Sequence, residues 1–288
     1  MRAAFPSRDV IFPRRALLMG IVNINDDSFS GDGTLDPKEA LALAKHQVEQ
    51  GADIIDIGAE SARTNRDAIS PKEEISRLES FLEGWAEVIK TAQPKDESQL
   101  FPPLLSINTW RPEVVEEILG HDIDLINDMS ALPDGRNARA CAAKEVPLLI
   151  MHSVGQPKVA HTHQQWPDLM KSMCEFFSEK IELAEANGLS KELIIIDPGI
   201  DFAKQKEDNL VLLRALDQLK QFRCPILLPI SRKTVIGDVL GIETPSDRDA
   251  GTLALLAHGM THGIEIFRVH NVEACWQSLR VLDPLTRG

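Results

Sequence analysis

Short apolar segments alternate with longer amphipathic segments from one end of the chain to the other. The apolar segments are rich in Ile, Leu and Val without strict alternation, which is typical of parallel strands buried on both faces. They cover residues 15–24, 53–58, 104–108, 124–128, 146–152, 193–197, 225–231 and 264–270. Eight strand–helix units in 288 residues predict an α/β fold of the closed (β/α)8 TIM-barrel type, with an open doubly wound sheet as the alternative.

The segments between the strands carry helix signals. Asp36-Pro37 and Ser70-Pro71 each place an N-cap residue before a proline at the first helical position, and Gly51 follows the first of these helices. Further helices are predicted near 113–119, 167–187 and 210–219. No linker divides the chain, so we expect one domain over 1–288, with 1–14 as an N-terminal extension and 91–103 as a surface insertion.

Charge and composition argue against some classes of function. The net charge is −13, which argues against a general nucleic-acid binder. No apolar run reaches the roughly 18 residues that span a bilayer, so we expect no membrane association. The four cysteines are far apart in the sequence, and the N-terminus has no sustained apolar region. Both features favour reduced thiols and a cytoplasmic protein.

Polar side chains follow almost every predicted strand, at the barrel end where enzymes of this fold carry their sites. One group can hold an anion with a bridging metal, and consists of Asn23, Arg268 and His270. A second group offers acceptors and amides to a flat heterocycle, and consists of Asn108, Asn127, Asp197 and Lys233. Any one of these residues, taken alone, is more typical of a turn or a helix cap than of a site, as in Asp197-Pro198-Gly199. Their coincidence at successive strand ends favours a site.

The same segments resemble dihydropteroate synthases, the folate-pathway members of the pterin-binding enzymes. The similarity covers nearly the whole chain, and its motifs are MGIVNINDDSFSGDG, GADIIDIGAESAR, SINTWRPEVV, INDMSAL, LLIMHS, IIIDPGIDFAK, ISRKTVIG and FRVHNV, in this order. The resemblance implies a TIM barrel, usually a homodimer. It also implies a transferase that condenses 6-hydroxymethyl-7,8-dihydropterin pyrophosphate with para-aminobenzoate, releases pyrophosphate and is a target of sulfonamide mimics.

The resemblance further assigns roles to individual residues. Asn108, Asn127, Asp197 and Lys233 would bind the pterin, while Asn23, Arg268 and His270 would bind the pyrophosphate with Mg²⁺, Asn23 being the metal ligand. Asp197, Lys233, Arg268 and His270 would be the catalytic residues. The para-aminobenzoate side would consist of Phe29, Ser61, Arg63 and Thr234.

Several positions depart from the family pattern. Asn25 and Asp26 stand where the first loop has Thr-Pro, and Ala62 and Thr64 replace Thr and Pro in the second loop. Asn108 replaces an aspartate, while Asp201 and Ala203 replace two glycines. We expect Asp201 near the pterin edge. The departures concentrate on the aromatic-amine side and around the ring edge.

Three alternatives to the synthase follow from these departures. The first is a paralogue that joins a pterin pyrophosphate to another amine. The second is a pterin-dependent methyltransferase, which has no need of the Arg268–His270 pair. The third is a non-catalytic pterin-binding protein, which retention of Asp197, Lys233 and Arg268 disfavours.

Overall fold

Strands and helices alternate along the chain and close into a barrel. The computed structural model describes residues 2–12, 14–25, 33–61, 67–155, 157–159, 161 and 163–286. One sheet contains the eight parallel strands β3 (Leu17–Asn23), β4 (Ile54–Gly58), β5 (Leu104–Asn108), β6 (Leu125–Asp128), β7 (Leu148–Met151), β8 (Ile194–Asp197), β9 (Leu227–Leu228) and β10 (Ile266–Val269). The outer layer contains α1 (Pro37–Gln50), α2 (Pro71–Thr91), α3 (Pro112–Ile118), α4 (Arg136–Lys144), α5 (Leu169–Ala186), α6 (Lys206–Arg214), α7 (Thr234–Leu240), α8 (Asp249–Thr261) and α9 (Val272–Thr286). The predicted α/β barrel is therefore confirmed.

The strand order is β8-β7-β6-β5-β4-β3-β10-β9, and a parallel bridge between Ile196 and Ile226 joins the two ends. The strand predicted over 225–231 is reduced to the two residues of β9. Pro225 and Pro229 flank it and have no N–H to donate to a neighbouring strand. The carbonyl of Pro225 still accepts a hydrogen bond from the N–H of Ile196 at 3.0 Å. The barrel therefore closes between β8 and β9 with few hydrogen bonds.

Two apolar layers hold the barrel together. Inward-facing side chains such as Leu17, Met19 and Ile266 fill its interior, and the alternate residues pack outward against the helices. The helix starts follow the predicted capping: the Asp36 side chain accepts from the N–H of Lys38, and that of Ser70 from the N–H of Glu73. The strands are thus buried on both faces, inside the barrel and under the helices, as is typical of parallel sheets.

The N-terminal end of the barrel is closed by a feature that the hydrophobic pattern did not predict. Residues 1–14, expected to be an extension, contain the antiparallel strands β1 (Arg2–Phe5) and β2 (Arg8–Ile11). Phe5 and Phe12 are buried in the same cluster as the barrel interior. This hairpin covers the interior on the side opposite the strand ends that carry the candidate site.

The segment 91–103, expected to be a surface insertion, is hydrogen-bonded to the same N-terminal end of the barrel. Gln99 is buried and its amide donates to the carbonyls of Val48 and Ala52 at 2.8 and 2.7 Å. The N–H of Leu100 donates to Asp53, whose carboxylate also forms a buried ion pair with Arg15 at 2.7 Å. No helix in the described part of the chain is long and apolar enough to cross a membrane.

Candidate active site

A cavity opens at the carboxyl ends of the strands. Strand register aligns Asn23 with Gly58, Gly58 with Asn108, and Asn108 with Asn127, so neighbouring strands present these residues side by side. The predicted residues that line this cavity are Asn23, Ser61, Asn108, Asn127, Asp197, Lys233, Thr234, Arg268 and His270. Phe29 and Arg63, like Asp26, Ala62 and Thr64 among the departures, lie outside the described residues. The two predicted groups are thus walls of one cavity.

Asp56 joins those two walls. Its carboxylate is fully buried and accepts from Arg268 Nε at 2.7 Å and from Asn127 Nδ2 at 3.1 and 3.2 Å. Ser106 Oγ donates to the same carboxylate at 2.6 Å. Arg268 has five N–H donors, and within the described chain only Nε–H is bonded, to Asp56. Asp56 therefore orients one residue of each predicted group.

Ser231 orients His270, the second residue of the predicted anion group. The Ser231 hydroxyl accepts from the N–H of His270 at 3.1 Å and lies 2.9 Å from its Nδ1. Below it, Asp249 accepts from both the Arg232 guanidinium and the Asn271 amide. Asp249 consequently ties the loop that precedes Lys233 to the loop that follows His270, which fixes two cavity walls relative to each other.

Asp197 is buried at the deep end of the cavity, with only 4% of its surface exposed. Burial raises its pKa to about 6, although the N–H of Gly199, Lys233, Lys204 and Arg268 all act in the opposite direction. Its Oδ1 accepts from the N–H of Gly199 at 2.7 Å. The carboxylate is therefore ionised at neutral pH and presents an anionic acceptor to the cavity.

Lys204 stabilises the loop that follows Asp197. Its buried ammonium donates to the carbonyls of Gly199 and Phe202, each at 3.0 Å, and lies 2.9 Å from His152 Nδ1. Burial lowers the pKa of Lys204 to about 7. Burial, followed by the charge of Lys204, lowers the pKa of His152 to about 2. His152, the last residue of the predicted strand over 146–152, is therefore a neutral acceptor within the fold, and it is not among the residues that line the cavity.

Lys233 crosses the cavity wall towards the same loop. Its ammonium donates to the carbonyl of Ile200 at 2.9 Å and lies 4.9 Å from the centre of the Phe202 ring. Burial lowers its pKa, and the charges of Asp201 and Asp197 partly offset that effect. The ring of Phe202 and the ammonium of Lys233 together give this wall one flat apolar face and one cationic donor.

Asp201 lies beside Thr234, and its charge also acts on Lys233, one of the predicted pterin residues. Its Oδ2 accepts from the N–H of Thr234 at 2.5 Å, and its Oδ1 accepts from the N–H of Val235 at 3.2 Å. Its φ of 69° is in the left-handed region. The expected position near the pterin edge stays a prediction.

Ser61, the described residue of the second loop in the predicted set, is held by a neighbouring loop. Lys158 Nζ donates to its carbonyl at 3.1 Å and pairs with Glu60 at 3.0 Å. Glu60 also pairs with Arg111, which in turn contacts Glu74. Lys158 therefore connects the loop after β7 to the loop after β4 at the rim of the cavity.

Asn108, which stands where the resemblance has an aspartate, presents an unused acceptor. Its Oδ1 is buried and has no hydrogen-bond partner among the described residues. Its Nδ2 lies 3.6 Å from the sulfur of Met129. A buried amide oxygen without a partner carries a free-energy cost, which a ligand N–H in the cavity would remove.

Sequence reasoning missed four residues that position the site: Asp56, Ser231, Lys204 and Lys158. Asp56 and Ser231 had a signal, because each is a polar residue within or directly after an apolar strand. Lys204 is the last residue of the motif IIIDPGIDFAK, but nothing in that motif indicates its partners. Lys158 had no signal, since its partners lie in a loop that only the folded chain brings close.

Comparisons with known proteins agree with this geometry. Residues 19–270 match the family model described as "Pterin binding enzyme". The dihydropteroate synthase of Synechocystis is 36% identical, over 95% of this chain and 91% of that protein, and the Escherichia coli dihydropteroate synthase is 33% identical over 92% and 90%. The solved structure of Yersinia pestis dihydropteroate synthase with a sulfonamide drug complex superposes with a TM-score of 0.88 at 30% identity, covering 99% and 98% of the two chains. The chain belongs to the pterin-binding enzyme family, and within it to the dihydropteroate synthases.

Proposed function

We propose that this transferase condenses 6-hydroxymethyl-7,8-dihydropterin pyrophosphate with an aromatic amine, para-aminobenzoate in the family reaction, and releases pyrophosphate. The observation that carries the proposal is one cavity with a buried anionic acceptor, Asp197, at one wall and the cation Arg268 with the imidazole of His270 at the other. A pterin with a pyrophosphate leaving group has the complementary polarity. A structure of the Xanthomonas albilineans dihydropteroate synthase in complex with 7,8-dihydropteroate, 30% identical with a TM-score of 0.81, supports the assignment.

The pterin is placed at the wall that contains Asp197, Asn108 and Asn127. The Asp197 carboxylate suits a guanidine-like edge with adjacent N–H groups, and the unpartnered Asn108 oxygen accepts a further N–H. Lys233 donates to a ring oxygen or nitrogen, and Phe202 beside it offers a face for stacking. These contacts orient the reacting carbon towards the opposite wall.

The pyrophosphate is placed at Arg268, His270 and Asn23. As the carbon–oxygen bond breaks, its electron pair leaves with the pyrophosphate, and the terminal nitrogens of Arg268 stabilise the growing negative charge. Positive charge develops on the pterinylmethyl group and is opposed by Asp197. The amine lone pair forms the new carbon–nitrogen bond, and the amine then releases a proton to solvent. Preorganised groups of this kind act where charge develops.

We also propose that Mg²⁺ assists at the pyrophosphate. The described residues contain no group of three His, Cys, Asp or Glu side chains able to hold a metal ion. Mg²⁺ commonly binds through one or two protein oxygens, water and substrate phosphates, and Asn23 at the cavity wall supplies such an amide oxygen. When bound, the ion would neutralise charge on the leaving group.

The amine side is proposed at Ser61 and Thr234, which also line the cavity. We place Phe29 and Arg63 on this side as well, from the resemblance alone. A cytoplasmic homodimer completes the proposal. The four cysteines are free thiols, and Val239, Leu240, Val281 and Leu285 expose apolar side chains on α7 and α9.

Product formation tests the proposal directly. The protein, Mg²⁺, the pterin pyrophosphate and para-aminobenzoate are incubated, and dihydropteroate and pyrophosphate are measured by mass spectrometry and a coupled assay. Equal amounts of both products are expected. Binding of the pterin pyrophosphate without any amine-dependent pyrophosphate release would contradict it, and would favour the non-catalytic alternative.

The fall of kcat/KM at acidic pH, called the acid limb below, is expected to follow the protonation of Asp197. Its pKa of about 6 means that lowering the pH through 6 protonates the carboxylate and removes the charge that opposes the developing cation. We expect kcat/KM to fall about tenfold per pH unit below 6, with a plateau above it. The measurement is kcat/KM for the pterin pyrophosphate between pH 4.5 and 8.

Asp128 provides a matched control for this profile. Burial likewise raises its pKa to about 6, but it binds Ser130 and Asn137 behind the cavity wall. An Asp128→Asn variant is expected to keep the acid limb. If that variant lost the limb, Asp128 and not Asp197 would be the group responsible.

A further inference from the structure

The turn that follows β8 wraps around the ammonium of Lys204, a buried side chain. Lys204 Nζ donates to the carbonyls of Gly199 and Phe202, each at 3.0 Å, and lies 2.9 Å from Nδ1 of the neutral His152. An ammonium has three N–H donors, and these contacts use all of them. Phe202 lines the cavity, whereas Lys204 is not among the lining residues. The cation is therefore committed to the fold and has no donor left for a ligand.

The backbone of this turn needs such support. Gly199, Asp201 and Ala203 have φ of 66°, 69° and 52°, all in the left-handed region. Asp201 and Ala203 are unfavourable there because they carry a Cβ. A Cβ at Gly199 would lie 2.0 Å from the carbonyl oxygen of His152, so the turn passes directly against the end of β7. Strained backbone persists where the surrounding contacts fix it, and Lys204 binds two carbonyls of this turn.

The same turn connects Lys204 to the wall where the pterin is placed. The N–H of Gly199 donates to Asp197 Oδ1 at 2.7 Å, while the carbonyl of Gly199 accepts from Lys204. The carbonyl of Phe202 also accepts from Lys204, and the Phe202 ring lies 4.9 Å from the ammonium of Lys233. Moving the Lys204 ammonium would therefore disturb both the acceptor and the ring that face the cavity.

Lys204 also acts on Asp197 through its charge. Burial raises the pKa of Asp197, and the positive charges of Lys233, Lys204 and Arg268 lower it. Burial lowers the pKa of Lys204, and the negative charge of Asp197 raises it. Opposite charges in a buried setting stabilise each other's ionised forms. The other charged groups that act on Lys204 are Lys233, which precedes α7, Asp208 on α6, and Asp201.

We propose that Lys204 is a positioning residue of the transfer reaction: its ammonium holds the turn that presents Phe202 to the cavity, and it stabilises the anionic form of Asp197 without touching a substrate. The proposal rests on the proposed function, in which Asp197 and Phe202 act on the pterin. Of the two lysines that act on Asp197, Lys233 does so from the cavity wall and Lys204 from within the protein.

The test replaces Lys204 by methionine, which has nearly the same shape and no charge. Loss of the positive charge should raise the pKa of Asp197, so the acid limb of kcat/KM is expected to move up by about one pH unit. On the plateau at higher pH, kcat/KM should fall about tenfold, because Asp197 and Phe202 lose their precise placement. Loosening of the turn alone would admit water and lower the pKa of Asp197, which moves the acid limb in the opposite direction.

Two further variants complete the comparison. Lys204→Gln supplies two N–H donors for the turn carbonyls without the charge, so it should show the same shift of the acid limb with a smaller loss on the plateau. It also serves as the test if Lys204→Met does not fold. Lys206→Met makes the same substitution at an exposed lysine at the start of α6, and should keep the wild-type profile. Thermal unfolding is recorded for each variant, although the position of the acid limb does not depend on the fraction of protein that is folded.

Two results would overturn the proposal. One is an acid limb that stays in place or moves to lower pH when Lys204 is replaced, and the other is the same upward shift in Lys206→Met. Absence of product from the wild-type protein would instead contradict the proposed function. In that case, calorimetric binding of 6-hydroxymethyl-7,8-dihydropterin over the same pH range decides the role of Lys204: a binding midpoint at higher pH in Lys204→Met supports it, and an unchanged or lower midpoint overturns it.

Discussion

Replacing Arg268 by alanine is expected to lower kcat/KM by about 1000-fold while changing the affinity for the pterin itself only a few-fold. Within the described chain, Arg268 commits Nε–H to Asp56, and its terminal nitrogens serve the cavity that it lines. Removing one preorganised donor to a developing anion costs about 10²–10³ in rate, and Arg268 supplies a charge as well. Amine-dependent pyrophosphate release gives the rate, and calorimetry with a pterin lacking the pyrophosphate gives the affinity.

Two further variants separate charge from geometry. Arg268→Lys keeps the positive charge but loses the planar fork and the bond to Asp56, so an intermediate loss is expected. Arg280→Ala removes an exposed arginine of α9 that pairs with Asp96 on the far surface, and should retain wild-type activity. A loss below tenfold in Arg268→Ala would mean that the leaving group is stabilised elsewhere.

The strand pattern predicted the barrel because parallel strands buried on both faces leave an unmistakable run of branched apolar residues. It also predicted the cavity at the carboxyl ends of the strands, since those ends meet at one face. Asn23, Asn108, Asn127, Asp197 and Arg268 could be assigned to one mouth on that ground alone. Members of both predicted groups line one cavity, and the grouping lacked Asp56, which bonds to one residue of each group.

What the pattern could not predict are contacts made by folded loops. The hairpin of β1 and β2 packs apolar side chains into the barrel but lies outside the strand–helix repeat. The periodic pattern of apolar residues therefore does not predict it. The direction of the Asp201 side chain depends on the left-handed φ of one residue. The sequence places a polar residue close to the predicted pterin ring. It does not show which neighbouring residue that side chain will contact once the turn has formed.

Asp56 is expected to act on the reaction through the residues that it orients. Asp56→Asn should lower kcat/KM about 100-fold, because the half-buried Arg268 loses its countercharge and Asn127 loses an acceptor that fixes its amide. Ser106→Ala is the matched control, since it removes a third hydrogen bond to the same carboxylate without touching either site residue. We expect Ser106→Ala to cost less than fivefold, with kcat/KM measured as above and thermal unfolding recorded for each variant.

A double variant distinguishes positioning from general loss of structure. If Asp56 acted only on the stability of the barrel, its effect would multiply with that of Arg268→Ala, because independent effects add in free energy. If it acts by holding the guanidinium towards the leaving group, little remains to be lost once Arg268 is gone. The Asp56→Asn, Arg268→Ala protein is therefore expected within about tenfold of Arg268→Ala alone, the remainder being the share of Asn127. A full 100-fold further loss would assign Asp56 to the fold and leave Arg268 positioned by other contacts.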